Sequence, residues 1–585
     1  MKQLLIISIK RLFRSLVYIL LPLGGGWVGV SCSDWDDHYE ADKMLLDTQQ
    51  ATLWQNIERD GNLSQFASLL KKAGYDNILN ASQTYTVWAP VNGSFDYDAM
   101  SALSAERLQR EFIENHIARS NYVASGVMDE RICTLNEKVM YFEGAQGYSI
   151  AGVNVAQANV ASGNGVIHTI NGKIPFMQNI YESLNNYDYP LDSVSNFFHS
   201  YDVSKLNEEL SVQGPPVDGK ITYLDSIVDK HNDLFLRYNA YINHEDSNYS
   251  MIVPTNDAWI KAKEKVSKYY HYLPSFEFME NTSTDSEKKL VTINLTDVKY
   301  LQDSIVNLML TGYLYFNNNL YDNKKLGSLK TGETLHCDSL YGTTRAKIFS
   351  EDAERLMEGA TRVDKSNGVA YITDSLRMFP WTVWNPEIIF EAENPTYQAS
   401  YVNVANGPQR INIPSGTQNP EVTGRLSKNS YMEIQPISSS TNPGIVFYLP
   451  NVRSTTYSIY LVMVPGNIDS PNRETKPNRF NVSMGYAQES GKNKDADRSW
   501  TVESYFYNDS AQIDTVYIGD FTFPMAYAGT GNYYPYMRIN SQVTSRDRAK
   551  YDRTLRIDCV ILRPKELDDY LKEHPDYKYD TGDNQ

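Results

Sequence analysis

The chain has 585 residues and a formal net charge of −17 at pH 7, with 71 acidic side chains against 54 Lys and Arg. Its length predicts three or four domains, each able to bury its own core. The acidic excess repels phosphate backbones, which excludes nucleic acid as an expected partner. Tyrosine is the commonest aromatic residue, with 43 copies. Because its ring has an apolar face and a polar tip, a tyrosine-rich surface suits binding to sugars or proteins, although packing within β-structure is the expectation for most of them individually.

The first residues have the pattern of a secretory signal. Four basic side chains precede a short apolar run at residues 16–23, which Pro22 and the glycines after it interrupt. This pattern predicts a signal peptide over residues 1–31 rather than a membrane span. The run ends in Gly29-Val30-Ser31-Cys32, which resembles the signal of a bacterial lipoprotein. That resemblance implies that Cys32 is the lipid attachment site. An unrelated signal followed by a structural Cys32 is the alternative.

Acidic residues follow directly in Ser33-Asp34-Trp35-Asp36-Asp37. This stretch resembles the export tag that sends lipoproteins of some Gram-negative bacteria to the outer face of the outer membrane. An acidic, solvated linker is the alternative. We therefore expect residues 32–46 to be a tether, and the protein to be lipid-anchored in the outer membrane and to face the cell exterior.

Three further cysteines, Cys133, Cys337 and Cys559, lie in different predicted domains. Their number is odd and none belongs to a CxxC pair, so a disulfide framework is not expected. We expect them to be small buried apolar residues.

Two short segments organise residues 47–183, the first predicted domain. Tyr85-Thr86-Val87-Trp88-Ala89-Pro90 is typical of a strand that proline stops, and Asn92 is placed to cap the helix that follows. Asn164-Gly165 begins a second strand, because an Asn-Gly pair tolerates the positive φ of a tight turn and an apolar run comes after it.

Both segments recur later in the same order. Ser250-Met251-Ile252-Val253-Pro254 matches the first, with Thr255 or Asn256 as the cap, and Asn367-Gly368-Val369 matches the second. The repeated order predicts a duplicated domain over residues 187–385. The second copy contains an insertion between its two segments. Polar residues within the insertion predict an exposed loop, which is either functional or merely tolerated.

At these residues the chain resembles the fasciclin (FAS1) domain family, whose two signature segments are similar to residues 85–95 and 164–170. The second copy keeps the proline and the Asn-Gly pair but has Tyr371 where the first has His168. The resemblance implies a compact α/β wedge for each copy and a role in adhesion or interaction. It brings no common catalytic site.

From residue 386 the pattern changes to short strand candidates separated by turn residues. This predicts an antiparallel β-sandwich of the jelly-roll type over residues 386–566. Its first and last predicted strands, residues 388–393 and 555–562, resemble those of galactose-binding-like jelly rolls, which include carbohydrate-binding modules. The predicted fold is therefore two FAS1-like α/β wedge domains followed by an all-β sandwich, and residues 567–585 are expected to be a flexible tail.

The jelly-roll resemblance implies that sugars stack on exposed aromatic rings flanked by hydrogen-bonding side chains. The last three candidates lie in a loop-like Gly-Asn-Tyr-Tyr-Pro-Tyr stretch. Ordinary packing is the alternative for each of them. The candidate ligand-binding residues are Trp500, Tyr505, Tyr533, Tyr534 and Tyr536.

Motifs for catalysis are missing from the sequence, which has no HExxH, no GxSxG and only scattered histidines. Glu391 and Glu393 alternate on a predicted strand, but glycosidases hold their paired acids across a cleft, so we expect solvent-facing charges. Asp495 and Asp497 could hold calcium, yet no EF-hand pattern surrounds them. We expect no enzyme activity, no metal and no cofactor.

Together these features favour a non-catalytic, surface-exposed outer-membrane lipoprotein. Its sandwich would capture a glycan or another ligand, as an accessory to a nutrient uptake complex. The alternative is an adhesion protein that binds a protein or a cell surface through its FAS1 domains, with the sandwich as a spacer. A hydrolase of unrecognised type is the third possibility.

Overall fold

The computed structural model describes residues 51–185, 188–209, 211–217, 219–225, 228–280, 289–344, 346–473 and 475–580. The predicted signal peptide, Cys32 and the tether lie outside these residues. Within them, no helix combines the length and the apolar character needed to cross a membrane. The first two domains are α+β and the third is an all-β sandwich, as the sequence predicts.

Short helices cover one side of the first domain. Thr52 and Gln55 form a reciprocal cap at the first helix, with side chain to backbone distances of 3.2 and 3.3 Å. The second helix ends at Gly74, whose φ of 75° glycine adopts without steric cost. The helices are α1 (Leu53–Arg59), α2 (Ser64–Ala73), α3 (Tyr75–Asn80), α4 (Tyr97–Ala102) and α5 (Ala105–Leu108).

The sheet of the first domain consists of β1 (Tyr85–Pro90), β2 (Ile117–Arg119), β3 (Met128–Cys133), β4 (Val139–Gly144), β5 (Tyr148–Ile150), β6 (Val153–Ser162) and β7 (Gly165–Ile170). Its order is β2-β1-β7-β6-β5-β4-β3. The two predicted segments are β1 and β7, which pair in parallel and are buried along their whole length. Burial on both faces explains why their sequences are nearly continuous apolar runs.

The second domain places its two matching segments in the same way. Its strands are β8 (Asp202–Leu206), β9 (Val212–Val217), β10 (Lys220–Asp225), β11 (Val228–Asn232), β12 (Tyr249–Pro254), β13 (Ser275–Glu280), β14 (Lys289–Asn294), β15 (Tyr315–Asn317), β16 (Ser339–Tyr341), β17 (Lys347–Phe349), β18 (Thr361–Lys365) and β19 (Gly368–Thr373). One sheet has the order β15-β12-β19-β18, and β12 pairs with β19 in parallel. The parallel register repeats that of β1 and β7 residue for residue.

The helices of the second domain surround this sheet. They are α6 (Asp192–His199), α7 (Asp233–Tyr238), α8 (Asn256–Ser267), α9 (Val298–Thr311), α10 (Asn323–Ser328), α11 (Ser350–Met357) and α12 (Pro380–Val383).

The asparagine before each second segment ties the start of its domain to the sheet. Asn164 Oδ1 accepts a hydrogen bond from the Leu53 N–H at 2.7 Å, and its Nδ2 donates to the carbonyls of Leu79 and Ala81. Asn367 makes the equivalent three bonds to backbone groups of Ile180, Ile242 and His244. Ile180 and Leu184 pack in the core of the second domain, which therefore begins before the predicted residue 187. The side-chain amide is therefore required in both copies, since it supplies one acceptor and two donors to buried backbone groups.

The glycine after each of these asparagines is required for a steric reason. Gly165 and Gly368 have φ values of 150° and 139°, and a Cβ at either position would lie 1.9 Å from the carbonyl oxygen of Tyr85 or Tyr249. Only glycine allows the parallel neighbour to approach this closely.

The capping prediction is right for Thr255 and wrong for the asparagines. Thr255 accepts a hydrogen bond from the Ala258 N–H at 3.4 Å at the start of α8. Asn92 instead accepts from the Gln65 N–H at 3.0 Å, and so satisfies the start of α2, which precedes it in the chain. Asn256 likewise accepts a hydrogen bond from the Ser193 N–H at 2.8 Å, at the start of α6. A side chain that follows a buried strand can therefore cap a helix from elsewhere in the chain.

Two antiparallel sheets form the sandwich. Its strands are β20 (Ile388–Glu391), β21 (Gln398–Val402), β22 (Gln409–Asn412), β23 (Ser430–Ile434), β24 (Gly444–Tyr448), β25 (Thr456–Met463), β26 (Arg479–Ala487), β27 (Asn493–Asp497), β28 (Phe506–Tyr507), β29 (Asp514–Thr522), β30 (Tyr536–Ser541) and β31 (Leu555–Pro564). The first sheet has the order β22-β23-β31-β25-β29, with β20 on β31. The second has the order β21-β24-β30-β26-β27, with β28 on β26. The predicted first and last strands pair with each other.

The insertion of the second domain is not simply an exposed loop. Its strands β13 and β14 form an antiparallel hairpin, which we call the inserted hairpin. Phe276 and Phe278 of this hairpin belong to the hydrophobic core of the sandwich. Most of the polar stretch predicted as a loop, residues 281–288, lies outside the described residues.

Residues 567–585 are predicted to be a flexible tail, and this prediction is wrong for residues 567–580, the part that the structure describes. Helix α13 (Lys565–Glu573) packs on the first sheet through Leu567, which is fully buried. Beyond it, the Tyr577 hydroxyl donates to Asp352 at 2.8 Å and accepts from Trp381 Nε1 at 3.1 Å. Tyr577 thus joins the segment after α13 to the second domain.

None of the three cysteines in the described residues forms a disulfide. Cys337 and Cys559 are buried, as predicted, and Cys133 is half-buried. Burial raises the pKa of the Cys337 thiol to about 11, which keeps it protonated and unreactive at neutral pH.

Candidate ligand-binding site

The outward side of the second sheet carries polar side chains that the sequence pattern did not single out. Ile445, Met537, Ile539 and Val482 point into the sandwich core. Directly opposed residues of antiparallel strands lie on the same face, so the alternate residues form aligned rows on the other side. We call this surface the outer face. Its rows are Val402, Gly444, Asn540 and Asn481, then Ser400, Val446, Arg538 and Ser483, and finally Tyr448, Tyr536 and Gly485.

Two glycines leave room on the outer face for side chains of the neighbouring strand. A Cβ on Gly444 would lie 2.1 Å from Asn540 Oδ1, and a Cβ on Gly485 would lie 2.0 Å from the Tyr536 ring. The side chains of Asn540 and Tyr536 therefore lie flat across the neighbouring strands. This leaves a shallow floor in place of a ridge of side chains.

Hydrogen-bonding groups line the middle of the floor. Arg538 is 13% exposed and approaches Asp495 at 3.6 Å. Ser483 and Ser400 are nearly buried, and the Ser400 hydroxyl has no hydrogen-bond partner among the described residues.

Tyrosines around Arg479 form one end of the outer face. The guanidinium carbon of Arg479 lies 5.4 Å from the centre of the Tyr505 ring and 5.1 Å from that of Tyr551. Tyr507 packs against Tyr551 at 5.5 Å. Tyr505 and Tyr507 are 43% and 47% exposed, so two aromatic faces remain open to solvent. Asp547 holds Arg479 in place through an ion pair of 3.0 Å.

The other end of the outer face carries Tyr448 and Tyr534. Their ring centres are 6.1 Å apart in an edge-to-face arrangement. Both rings are half-buried, and burial raises the pKa of Tyr534, so its hydroxyl stays protonated at neutral pH. Tyr533 packs edge-on against Phe278 of the inserted hairpin at 5.4 Å.

Tyr536 corrects the expectation of an exposed, loop-borne ring. It begins β30, is 1% exposed, and donates its hydroxyl to Asp495 Oδ1 at 2.6 Å. Burial, together with the neighbouring carboxylate, raises the pKa of Tyr536 well above its usual value. Its ring is part of the floor and cannot serve as a stacking face.

Trp500 lies apart from the outer face. Its Nε1 donates to the Asp497 carbonyl at 3.1 Å, and its ring contacts Phe521 edge-on at 5.4 Å, at the margin of the core. Of the predicted residues, the structure thus brings Tyr505 and Tyr534 to opposite ends of one face. It assigns Trp500, Tyr533 and Tyr536 to packing roles.

The expectation of solvent-facing acids at the first strand is also wrong. Glu391 and Glu393 share a face but are only 7% exposed. Ser427 donates to Glu391 at 2.6 Å, and Ser430 donates to Glu393. Burial raises the pKa of Glu391. These carboxylates form part of the interior because short serine hydroxyls satisfy one oxygen of each.

Asp497 is held by protein groups. It accepts from Ser499, Lys494 and Tyr486, and these partners lower its pKa to about 2. Over the described parts of the chain, no group of three or more His, Cys, Asp or Glu side chains is arranged to hold a metal ion.

Sequence reasoning missed Tyr448, Tyr507, Tyr551 and Arg538. Tyr507 stands two residues after the predicted Tyr505, and this spacing could have indicated it, because alternate residues of a strand share a face. No local signal marks Tyr551, which comes from a distant loop.

Comparison with known proteins identifies one domain of the chain. Residues 61–174 match the family model of the Fasciclin domain. This range lies within the first predicted domain and confirms its family. No curated protein sequence matches the chain.

Three solved structures illustrate the remaining similarities. The FAS1 domain pair of the insect cell adhesion molecule Fasciclin I is 14% identical over 55% of this chain and 99% of that one, with a TM-score of 0.18. A family 35 carbohydrate binding module from Clostridium thermocellum is 12% identical over 30% and 95%, with a TM-score of 0.15. A Podospora anserina GH26-CBM35 β-(1,4)-mannanase is 14% identical over 31% and 28%, with a TM-score of 0.17. TM-scores this low assign neither a fold nor a function.

Proposed function

We propose that the protein is a non-catalytic surface protein that captures a glycan on the outer face of its sandwich. One observation carries the proposal: a flat floor with hydrogen-bonding side chains has tyrosine rings at both ends. A pyranose has apolar C–H faces and a polar rim, so it matches rings flanked by hydrogen-bonding groups.

The dimensions of the outer face favour an extended ligand. Arg479 and Gly485 lie six residues apart on β26, a span of about 20 Å in a strand. Tyr505 lies beside Arg479, and Tyr448 lies in the row of Gly485. A chain of several sugars can therefore contact both ends at once, whereas a single sugar can contact only one.

We also propose that the protein is anchored by a lipid on Cys32 and faces the cell exterior from the outer membrane. The supporting features are the signal-like residues 1–31, the lone cysteine and the acidic stretch after it. In that setting it would present a polysaccharide to a nutrient uptake complex.

Affinity electrophoresis of the complete chain against plant, microbial and host polysaccharides tests the glycan proposal. We expect one or more of them to retard the wild type, and Tyr505→Ala and Tyr448→Ala to reduce the retardation at least tenfold, because each removes a stacking face. Tyr321→Ala is the matched control, since Tyr321 is a 68% exposed tyrosine of the second domain. Retardation of all three variants to the same extent as the wild type would contradict the proposal, and so would release of sugars during the assay.

Adhesion through the fasciclin domain is the second candidate function. The match of residues 61–174 to the Fasciclin domain favours it, and the repeated geometry of β12 and β19 makes the second domain a proposed second copy. Binding of coated beads to cells distinguishes the two functions. Adhesion that survives Tyr505→Ala would place the contact outside the sandwich, whereas its loss would support the glycan site.

A further inference from the structure

The inserted hairpin reaches the sandwich at the Tyr448 end of the outer face. Phe278 is only 7% exposed, and its ring lies nearly parallel to that of Tyr448, with centres 6.4 Å apart. The same ring contacts Tyr533 edge-on at 5.4 Å. A tyrosine of the proposed glycan site is therefore packed against a side chain from a different domain.

Backbone and charged contacts fix the hairpin at this position. The Glu277 N–H donates to the Gly491 carbonyl at 2.7 Å, and the Glu277 carboxylate contacts Lys492 Nζ at 2.5 Å and the Asn493 N–H at 3.1 Å. Gly491 has a φ of 78°, and a Cβ there would lie 2.6 Å from the Ser275 carbonyl oxygen. The turn between β26 and β27 is thus shaped to receive the hairpin.

Contacts beside the hairpin join the same two domains. The Tyr272 hydroxyl donates to the Ala528 carbonyl at 2.5 Å, and the Tyr269 hydroxyl donates to Glu566 at 2.9 Å. Both tyrosines are at least nine-tenths buried, and Phe276 lies in the sandwich core. Because apolar side chains of the second domain fill the sandwich core, the hairpin cannot leave without exposing that core to water.

We propose that the glycan site is composite, with the sandwich supplying the contacting rings and the second domain supplying Phe278 as a positioning residue for Tyr448. This inference rests on the glycan function proposed above. A tyrosine that is already packed loses little rotamer freedom when a sugar binds, whereas a free one must be immobilised at that moment. Removal of the Phe278 ring therefore weakens binding without removing any contact to the sugar.

The test compares dissociation constants of complete-chain variants for a polysaccharide that retards the wild type. Phe278→Leu keeps a buried apolar side chain but loses the ring, and we expect roughly fivefold weaker binding, since one immobilised side chain costs about that much. Phe278→Tyr keeps the ring and should restore most of the affinity. Phe235→Leu is the matched control, because Phe235 is a buried phenylalanine of the second domain that contacts Tyr181 and Phe198. Thermal unfolding confirms that every variant is folded at the assay temperature.

The outcomes separate this inference from the function on which it rests. Wild-type affinity in Phe278→Leu would overturn the composite site and leave the glycan function intact. An equal loss in Phe235→Leu would show a general effect of destabilisation and would also overturn the positioning role. A wild type that no polysaccharide retards would overturn both proposals.

Discussion

Replacing Asn164 and Asn367 by alanine, one at a time, tests how the domains of this chain are coupled. Each substitution removes two buried hydrogen bonds and one part-buried hydrogen bond. For Asn367 these are the bond from the Ile180 N–H at 2.9 Å and those to the Ile242 and His244 carbonyls at 2.7 and 3.0 Å. At about 1 kcal/mol for each bond, either substitution lowers the free energy of unfolding by about 3 kcal/mol.

The same loss of unfolding free energy should lower the midpoint of thermal unfolding by different amounts in the two domains. If the first domain unfolds as a unit of about 135 residues, its entropy of unfolding converts 3 kcal/mol into a decrease of about 10 °C. The second domain and the sandwich share a core through Phe276 and Phe278, so we expect them to unfold together. For that larger unit of about 390 residues the decrease is about 4 °C.

Differential scanning calorimetry of the complete chain measures both shifts. Asn164→Ala should move one transition and leave the other in place, and Asn367→Ala should do the reverse. Asn80→Ala is the control, because Asn80 is an exposed asparagine that accepts a hydrogen bond from Thr52. Three separate transitions, or a sandwich transition that Asn367→Ala leaves unmoved, would refute the shared unit.

Two further predictions concern pH and location. His168 donates to the Tyr122 carbonyl at 2.8 Å, and burial lowers its pKa to about 4. The unfolded chain therefore binds a proton near pH 6.5 and the folded chain does not, so stability of the first domain is lost as pH falls from about 6.5 to about 4. His168→Phe should reduce the pH dependence of the first-domain midpoint, and the part that remains comes from the buried His116, whose pKa burial also lowers to about 4. An unchanged slope would contradict the assignment, and the second domain, with Tyr371 at this place, is the internal control. Cys32→Ala should move the protein from the membrane fraction to the soluble fraction after cell lysis, and continued membrane association would refute the lipid anchor.

Local signals in the sequence were sufficient to locate β1, β7, β12 and β19, but not to predict that they pair in parallel. The Asn-Gly pairs mark β7 and β19 because the asparagine amide and the glycine backbone meet needs that lie within one domain and recur in both. Alternation and turn residues likewise indicated the antiparallel strands of the sandwich. These strands depend on residues close to them in the sequence and on which side chains are buried. Residue type and spacing indicate both.

The candidate site depends on contacts that no local pattern contains. Tyr505 and Tyr534 were singled out as aromatic, but only the pairing of β24, β30 and β26 places them at opposite ends of one face and turns Tyr536 into its floor. Glu391 and Glu393 were predicted to be exposed because carboxylates usually are. They are buried instead, because serines 36 and 37 residues further along the chain donate hydrogen bonds to them.

The amino-acid sequence by itself indicated the fasciclin domain and seven of the twelve strands of the sandwich. Tertiary structure alone decided that the insertion of the second domain completes the sandwich core. The physical reason is that Phe276 and Phe278 have the alternating spacing of any strand with one buried face, so the spacing does not tell which surface they cover. Which surface they cover depends on the shape of a partner that lies about two hundred residues further along the chain.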